Sequence, residues 1–169
     1  MRYFLIGMPG SGKSTVGKHL ASELDQDFID LDNIIVQKAG KPITDIFEQD
    51  GEEVFRELEM ESLKFAISEY DNLVCATGGG APCFHDNLNT MKRAGTVIYL
   101  NTGLDQIMER LRNEVNIRPL LSGDPVAKLQ GLIDLRGKIY EQADSTVDAS
   151  RPVSEVVQSI LEIKSKGQQ

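Results

Sequence analysis

The stretch GMPGSGKS, Gly7 to Ser14, follows the apolar run Tyr3 to Ile6 and precedes a helical pattern. It fits G-x-x-x-x-G-K-[ST], with Gly7, Gly12, Lys13 and Ser14 in the required places. Glycines let the backbone wrap so that successive N–H groups point inward at phosphate oxygens, and the helix that follows turns its positive end toward the same anion. A lysine in this place reaches the β- and γ-phosphates, and the hydroxyl ligates Mg²⁺. Strand, glycine loop and helix in this order commit the chain to an α/β architecture built around a triphosphate.

The rest of the chain continues that pattern. Five short β-rich or apolar runs, at 3–6, 28–31, 73–77, 96–100 and 145–148, alternate with helical segments, which predicts a parallel sheet covered on both faces. Val16, Leu20 and Leu24 recur at helical steps after the glycine loop, and Leu63, Ala66, Ile67 and Tyr70 mark a second buried helix face. Asp124 before Pro125 reads as an N-cap followed by proline at the first helical position; Leu129, Ile133, Arg136 and Tyr140 then share one side of a long helix. No Pro, Gly or Ser linker divides the 169 residues, so one domain is the economical reading. Two segments are unlike core: 33–62, which inserts helices after the second strand, and 113–123 (NEVNIRPLLSG), which reads as a mobile loop.

A net charge of −8 argues against a broad nucleic-acid or anionic-membrane surface, so any bound anion must be met by a few placed cations. The apolar run before Gly7 is too short for a signal-peptide core, and no later stretch has membrane-spanning length; the chain reads as soluble and cytoplasmic. Cys75, Cys83, His19 and His85 fit no metal-ligand spacing and read as structural.

Three further motifs bear on chemistry. FIDLD places Asp30 and Asp32 two apart, so on one face of a strand, side by side near its C-terminal end where ligands gather in open α/β sheets; Asp32 as N-cap of a helix from Asn33 is the alternative. In FEQDGEEVFRELE, residues 47–59, Glu52, Arg56 and Glu59 are helical neighbours, a spacing that usually marks a solvated ion-pair face. TGGG, Thr77 to Gly80, ends the third strand with more glycines than a tight turn needs.

In this order, GMPGSGKST, FIDLD, IFEQDGEEVFRELE, ATGGG, RPLL and RGKIY resemble the shikimate kinases, P-loop kinases related to the nucleoside monophosphate kinases. The resemblance implies a three-layer P-loop kinase fold with a five-stranded parallel sheet flanked by helices. It implies a substrate-binding insertion at about 33–61 and a lid at about 112–124. ATP would sit on Gly10, Ser11, Gly12, Lys13, Ser14 and Thr15, with Arg110 and Arg151 toward adenine; Mg²⁺ would be held by Ser14 and, through water, by Asp30. Shikimate would meet Asp32 through its hydroxyls, Arg56 and Arg136 through its carboxylate, and the backbone of Gly78, Gly79 and Gly80. Phe47, Phe55, Glu59, Pro119 and Leu120 would line or brace that pocket. Arg118 would reach the transferring phosphoryl group, and with Lys13 and Asp32 it completes the expected catalytic set. A monomer is implied, in a cell that makes its own aromatic amino acids. A gluconate or nucleotide kinase, or a non-catalytic nucleotide-binding module, is the competing reading.

Overall fold

A computed structural model describes residues 1–113 and 124–166. The expected Arg118, Pro119 and Leu120 lie outside those residues, as does most of the expected lid.

The chain runs β1 (Arg2–Ile6), α1 (Lys13–Leu24), β2 (Asp27–Asp30), α2 (Leu31–Ala39), α3 (Ile43–Gln49) and α4 (Gly51–Glu69). It continues through β3 (Leu73–Ala76), a short 3-10 turn (Ala81–Cys83), α5 (Asn87–Ala94), β4 (Thr96–Asn101), α6 (Leu104–Asn113), α7 (Pro125–Tyr140), β5 (Ser145–Asp148) and α8 (Val153–Lys166). The five strands form one parallel sheet in the order β2-β3-β1-β4-β5.

The central strand shows why both faces are covered. Alternate residues of a strand point to opposite sides. Phe4 and Ile6 join Leu63, Ala66, Met91 and Tyr140 on one face, while Tyr3 and Leu5 join Val16, Leu20, Val156 and Ile160 on the other. The expected helix faces are those that pack: Leu20 and Leu63 are fully buried, and Asp124 accepts from the Ala127 amide as the N-cap of α7. A third, smaller cluster of Ile35, Ile46 and Phe55 holds α2, α3 and α4 to one another.

One boundary differs from expectation, and it changes the site. The second strand ends at Asp30, so Asp30 and Asp32 do not share a strand face. Asp30 is the N-cap of α2 in extended backbone, and its carboxylate accepts the Asp32 amide at 3.1 Å. The cap wins because a helix start leaves amides without partners, and a carboxylate two residues earlier in the chain reaches one of them. Asp32, instead of capping a helix from Asn33, lies in the first turn of α2.

Strand order reverses about β1, and the segments that follow all five strands meet at one edge of the sheet. Gly12 caps α1 at φ 93°, a left-handed conformation that glycine adopts without penalty.

Candidate active site

Three adjoining cavities occupy that edge. The first, about 330 Å³, lies between the glycine loop and the segment after β5, with Gly10, Thr15, Arg110, Ala149 and Arg151 among its walls. The second, about 150 Å³, is the polar cleft of Lys13, Ser14, Thr15, Asp30 and Asp32. The third, about 810 Å³, is walled largely by apolar groups but admits Arg56, Glu59 and Arg136. Gly10, Gly12 and Thr15 border the first and second, while Asp32, Gly78 and Gly79 border the second and third. The three form one continuous trough.

In the polar cleft, the Lys13 ammonium donates to the carbonyls of Gly7 at 2.9 Å and Met8 at 2.8 Å, and lies 3.4 Å from Ser11 Oγ. Its own loop thereby holds it over the phosphate position. Ser14 donates its hydroxyl to Asp30 Oδ2 at 2.7 Å. One carboxylate therefore caps α2 through one oxygen and meets Ser14 through the other.

At the first cavity, Arg110 reaches from α6 to donate to Gly10 O at 3.3 Å and Ala149 O at 3.0 Å, tying the glycine loop to the segment after β5. Arg151 is exposed beside it, its Nε 3.4 Å from Asp148 Oδ2. Hydrogen bonds from Ser150 hold the Asp148 carboxyl below its ordinary range.

The third cavity overturns one expectation outright. Only Glu52 of the three is solvated: Arg56 is 7% exposed and Glu59 0%. Arg56 Nη1 donates to Glu59 Oε2 at 2.9 Å, and Nε and Nη2 both donate to Glu52 Oε1 at 3.2 Å. Arg136 enters from α7, and its helix neighbour Tyr140 is buried, with its hydroxyl donating to Gly79 O at 2.6 Å. Burial pushes the Tyr140 phenol up, with Arg136 nearby pulling it back in part.

The three glycines now have separate reasons, and none of them has positive φ. A Cβ on Gly78 would sit 2.9 Å from Glu59 Oε1 and 3.3 Å from Asp32 Oδ1. On Gly79 it would meet Pro9 at 3.0 Å and Arg136 Nη1 at 3.2 Å, and on Gly80 it would run into the Arg56 guanidinium at 2.5 Å. Each glycine leaves room for a different pocket side chain. Phe55 is buried behind Arg56, and Phe47 stacks on it with ring centroids 4.5 Å apart.

Burial of Glu59 has a measurable consequence. Loss of water raises its carboxyl above the usual range, with Arg56 opposing that shift, and Glu59 Oε1 has no hydrogen-bond partner among the described residues. A carboxyl whose folded-state pKa is raised stabilises the fold below its unfolded pKa, and that contribution is lost as pH rises through the folded value. Glu59→Gln mimics the protonated form at every pH. Its melting temperature relative to the parent is therefore expected to be higher at pH 7 than at pH 4, measured by thermal unfolding across that range. A constant difference would mean that Arg56 fully offsets the cost of burial.

Sequence reading did not single out Tyr140 as more than core, although its place four residues after Arg136 puts the two together on α7. It gave no role to Phe84, which lies over Arg56. No spacing rule joins those two, because they come together through the chain reversal after β3.

A chain with a triphosphate loop at this edge, and an acceptor-sized pocket across the phosphate cleft, is a P-loop kinase. Comparison with known proteins narrows the class. The shikimate kinase family model matches residues 9–164. The shikimate kinase of Sulfurihydrogenibium sp. is 42% identical over 159 residues, covering 94% of each chain. The crystal structure of shikimate kinase from Bacteroides thetaiotaomicron superposes with a TM-score of 0.91 at 36% identity over 98% of both chains. The Acinetobacter baumannii shikimate kinase in complex with shikimate also gives 0.91 at 36% identity, covering 98% of this chain and 93% of that one. The chain belongs to the shikimate kinase family.

Proposed function

We propose that the chain transfers the γ-phosphoryl group of ATP to the 3-hydroxyl of shikimate, giving shikimate 3-phosphate and ADP, a step toward the aromatic amino acids. The observation that carries this reading is the shared wall of Asp32, Gly78 and Gly79 between the phosphate cleft and the pocket that holds Arg56 and Arg136. An acceptor whose carboxylate is held by the two arginines can reach the cleft with a hydroxyl beside Asp32.

Phosphoryl transfer through a loose transition state asks mainly for positioning and for charge stabilisation. Gly10 to Thr15 cradle the triphosphate with backbone amides and Lys13, and Arg110 and Arg151 flank the base. Asp32 orients the hydroxyl and accepts its proton late, since a carboxylate is a weak base toward an alcohol. By family resemblance Arg118, outside the described residues, adds a cation at the transferring group, within a lid at about 112–124, and the acceptor segment is at about 33–61.

Ser14 and Asp30 fit a magnesium ion: both offer hard oxygen donors, and among the described residues no cluster of three or more metal-ligating side chains competes. Ser14 would hold the ion directly and Asp30 through water, and the ion would supply neutralisation of the β- and γ-phosphate oxygens.

By family resemblance we read the enzyme as a cytoplasmic monomer; no described helix is long and apolar enough to cross a membrane. Coupled ADP release with Mg-ATP tests the function, using shikimate, gluconate and CMP at equal concentration and identifying the product by mass. Shikimate-dependent turnover to a singly phosphorylated product is the expected result. Turnover with another acceptor alone would keep the nucleotide site and discard the acceptor reading.

A further inference from the structure

Arg56 is held on more sides than ion pairing requires. A guanidinium carries five N–H groups. Glu52 and Glu59 take three of them, which leaves one on Nη1 and one on Nη2 for a ligand. Two such donors suit a carboxylate, provided that the guanidinium plane is fixed. Hydrogen bonds in the plane of the group, from Nε and Nη2 to Glu52 and from Nη1 to Glu59, leave its two faces uncovered.

Phe84 supplies the missing surface. Arg56 Cζ lies 4.1 Å from the centroid of the Phe84 ring, closer than the 5.0 Å to Phe55 and well inside cation–π range. A ring against one face of the guanidinium blocks tilting and keeps water from that face.

The turn that delivers this ring is left-handed at both of its central positions. Phe84 O accepts the Asn87 amide at 3.0 Å, and both residues between them, His85 and Asp86, have positive φ, 50° and 57°. Turns with two left-handed residues favour glycine, asparagine and aspartate; Asp86 meets that preference, and neither position is glycine. Among the described non-glycine residues the only other positive φ belongs to Asp25, at the end of α1. Such a conformation persists where its surroundings impose it. Here Asn87, 1% exposed, clamps the turn by donating from Nδ2 to Ala81 O at 3.0 Å.

We propose that Phe84 is a positioning residue for acceptor recognition: its ring sets the plane of Arg56 so that the two remaining N–H groups face the substrate carboxylate, and the clamped left-handed turn holds the ring there. The proposal rests on the reading of Arg56 as a carboxylate clamp. It assigns to the stretch after the three glycines a part in specificity that touches no substrate.

The test compares Phe84→Leu, Phe84→Met and Phe84→Tyr in steady-state kinetics, beside thermal unfolding. Leu and Met keep apolar bulk without an aromatic face, whereas Tyr keeps the face. Phe84→Leu and Phe84→Met are expected to raise the KM for shikimate about five- to tenfold, the scale of a partly desolvated cation–π contact, with kcat and the KM for ATP within about twofold. Phe84→Tyr is expected to stay near the parent. An unchanged shikimate KM, an equal rise with Tyr, a parallel rise in the KM for ATP, or loss of folding in both Leu and Met variants would overturn the proposal. If the parent itself shows no shikimate-dependent turnover, the functional reading fails before the variants are reached, so the two failures are distinct.

Discussion

Lys13→Met is expected to lower kcat by about a thousandfold or more, with little change in melting temperature and a smaller change in the KM for ATP. Cations that stabilise a transferring phosphoryl group are worth about 10³ to 10⁵ in rate in related chemistry. Methionine keeps the length and most of the apolar stem but removes the charge. The fold should tolerate the loss, because Lys13 is only partly buried and its bonds to Gly7, Met8 and Ser11 lie within one loop. The kinetic signature separates the roles: an interaction made mainly in the transition state lowers kcat and kcat/KM together. Rapid-quench measurement of a single turnover checks this directly. A variant that kept parental kcat with weakened ATP binding would reduce Lys13 to a ground-state anchor.

Gly80→Ala is expected to raise the KM for shikimate about 30- to 100-fold, the scale of losing one or two charge-assisted hydrogen bonds, with the KM for ATP nearly unchanged. The backbone at Gly80, φ −83° and ψ −15°, suits alanine, so the substitution tests space and not strain. The new methyl would lie 2.5, 2.6 and 2.8 Å from Nη1, Nη2 and Cζ of Arg56. An arginine tip usually swings away from such a contact at small cost. Here swinging away means giving up Glu59, Glu52 and the Phe84 face. The displaced guanidinium would then leave a buried Glu59 carboxylate without its partner, which is costly. Isothermal titration with shikimate, beside steady-state kinetics, measures the loss. An unchanged affinity would show that Arg56 moves freely and that the carboxylate is held elsewhere.

The fold was legible because its signals are local. Parallel strands buried on both faces read as short apolar runs, and all five fell within a residue or two of their observed bounds. The exception came at FIDLD, where the buried Leu31 reads as one more strand residue but opens α2. Capping by Asp30 decided that boundary, and a hydrophobic pattern carries no trace of it. The nucleotide side was equally plain, since loop, lysine and hydroxyl are adjacent in the chain.

The acceptor side was legible only through resemblance. Helical spacing says that Arg56 and Glu59 are neighbours, not which side of the helix is covered. Their covering comes from Gly80 and Phe84, beyond another strand. The three glycines likewise announce an excess over a turn's needs, but the reason lies in side chains brought to them from α2, α4 and α7.

The nineteen-residue helix α4 has an effect on how this enzyme can change. It is about 28 Å long, with Arg56 and Glu59 in its first half and Leu63 and Ala66 in its second. On the proposed reading its two halves answer to different selection: one to the acceptor, the other to the sheet. Drift in the core half that rotates or shifts the rod would retune the arginine in the other half without touching a pocket residue. With Arg56 as the proposed clamp, acceptor preference is in that sense geared to packing, and core substitutions that leave the fold standing can retune it.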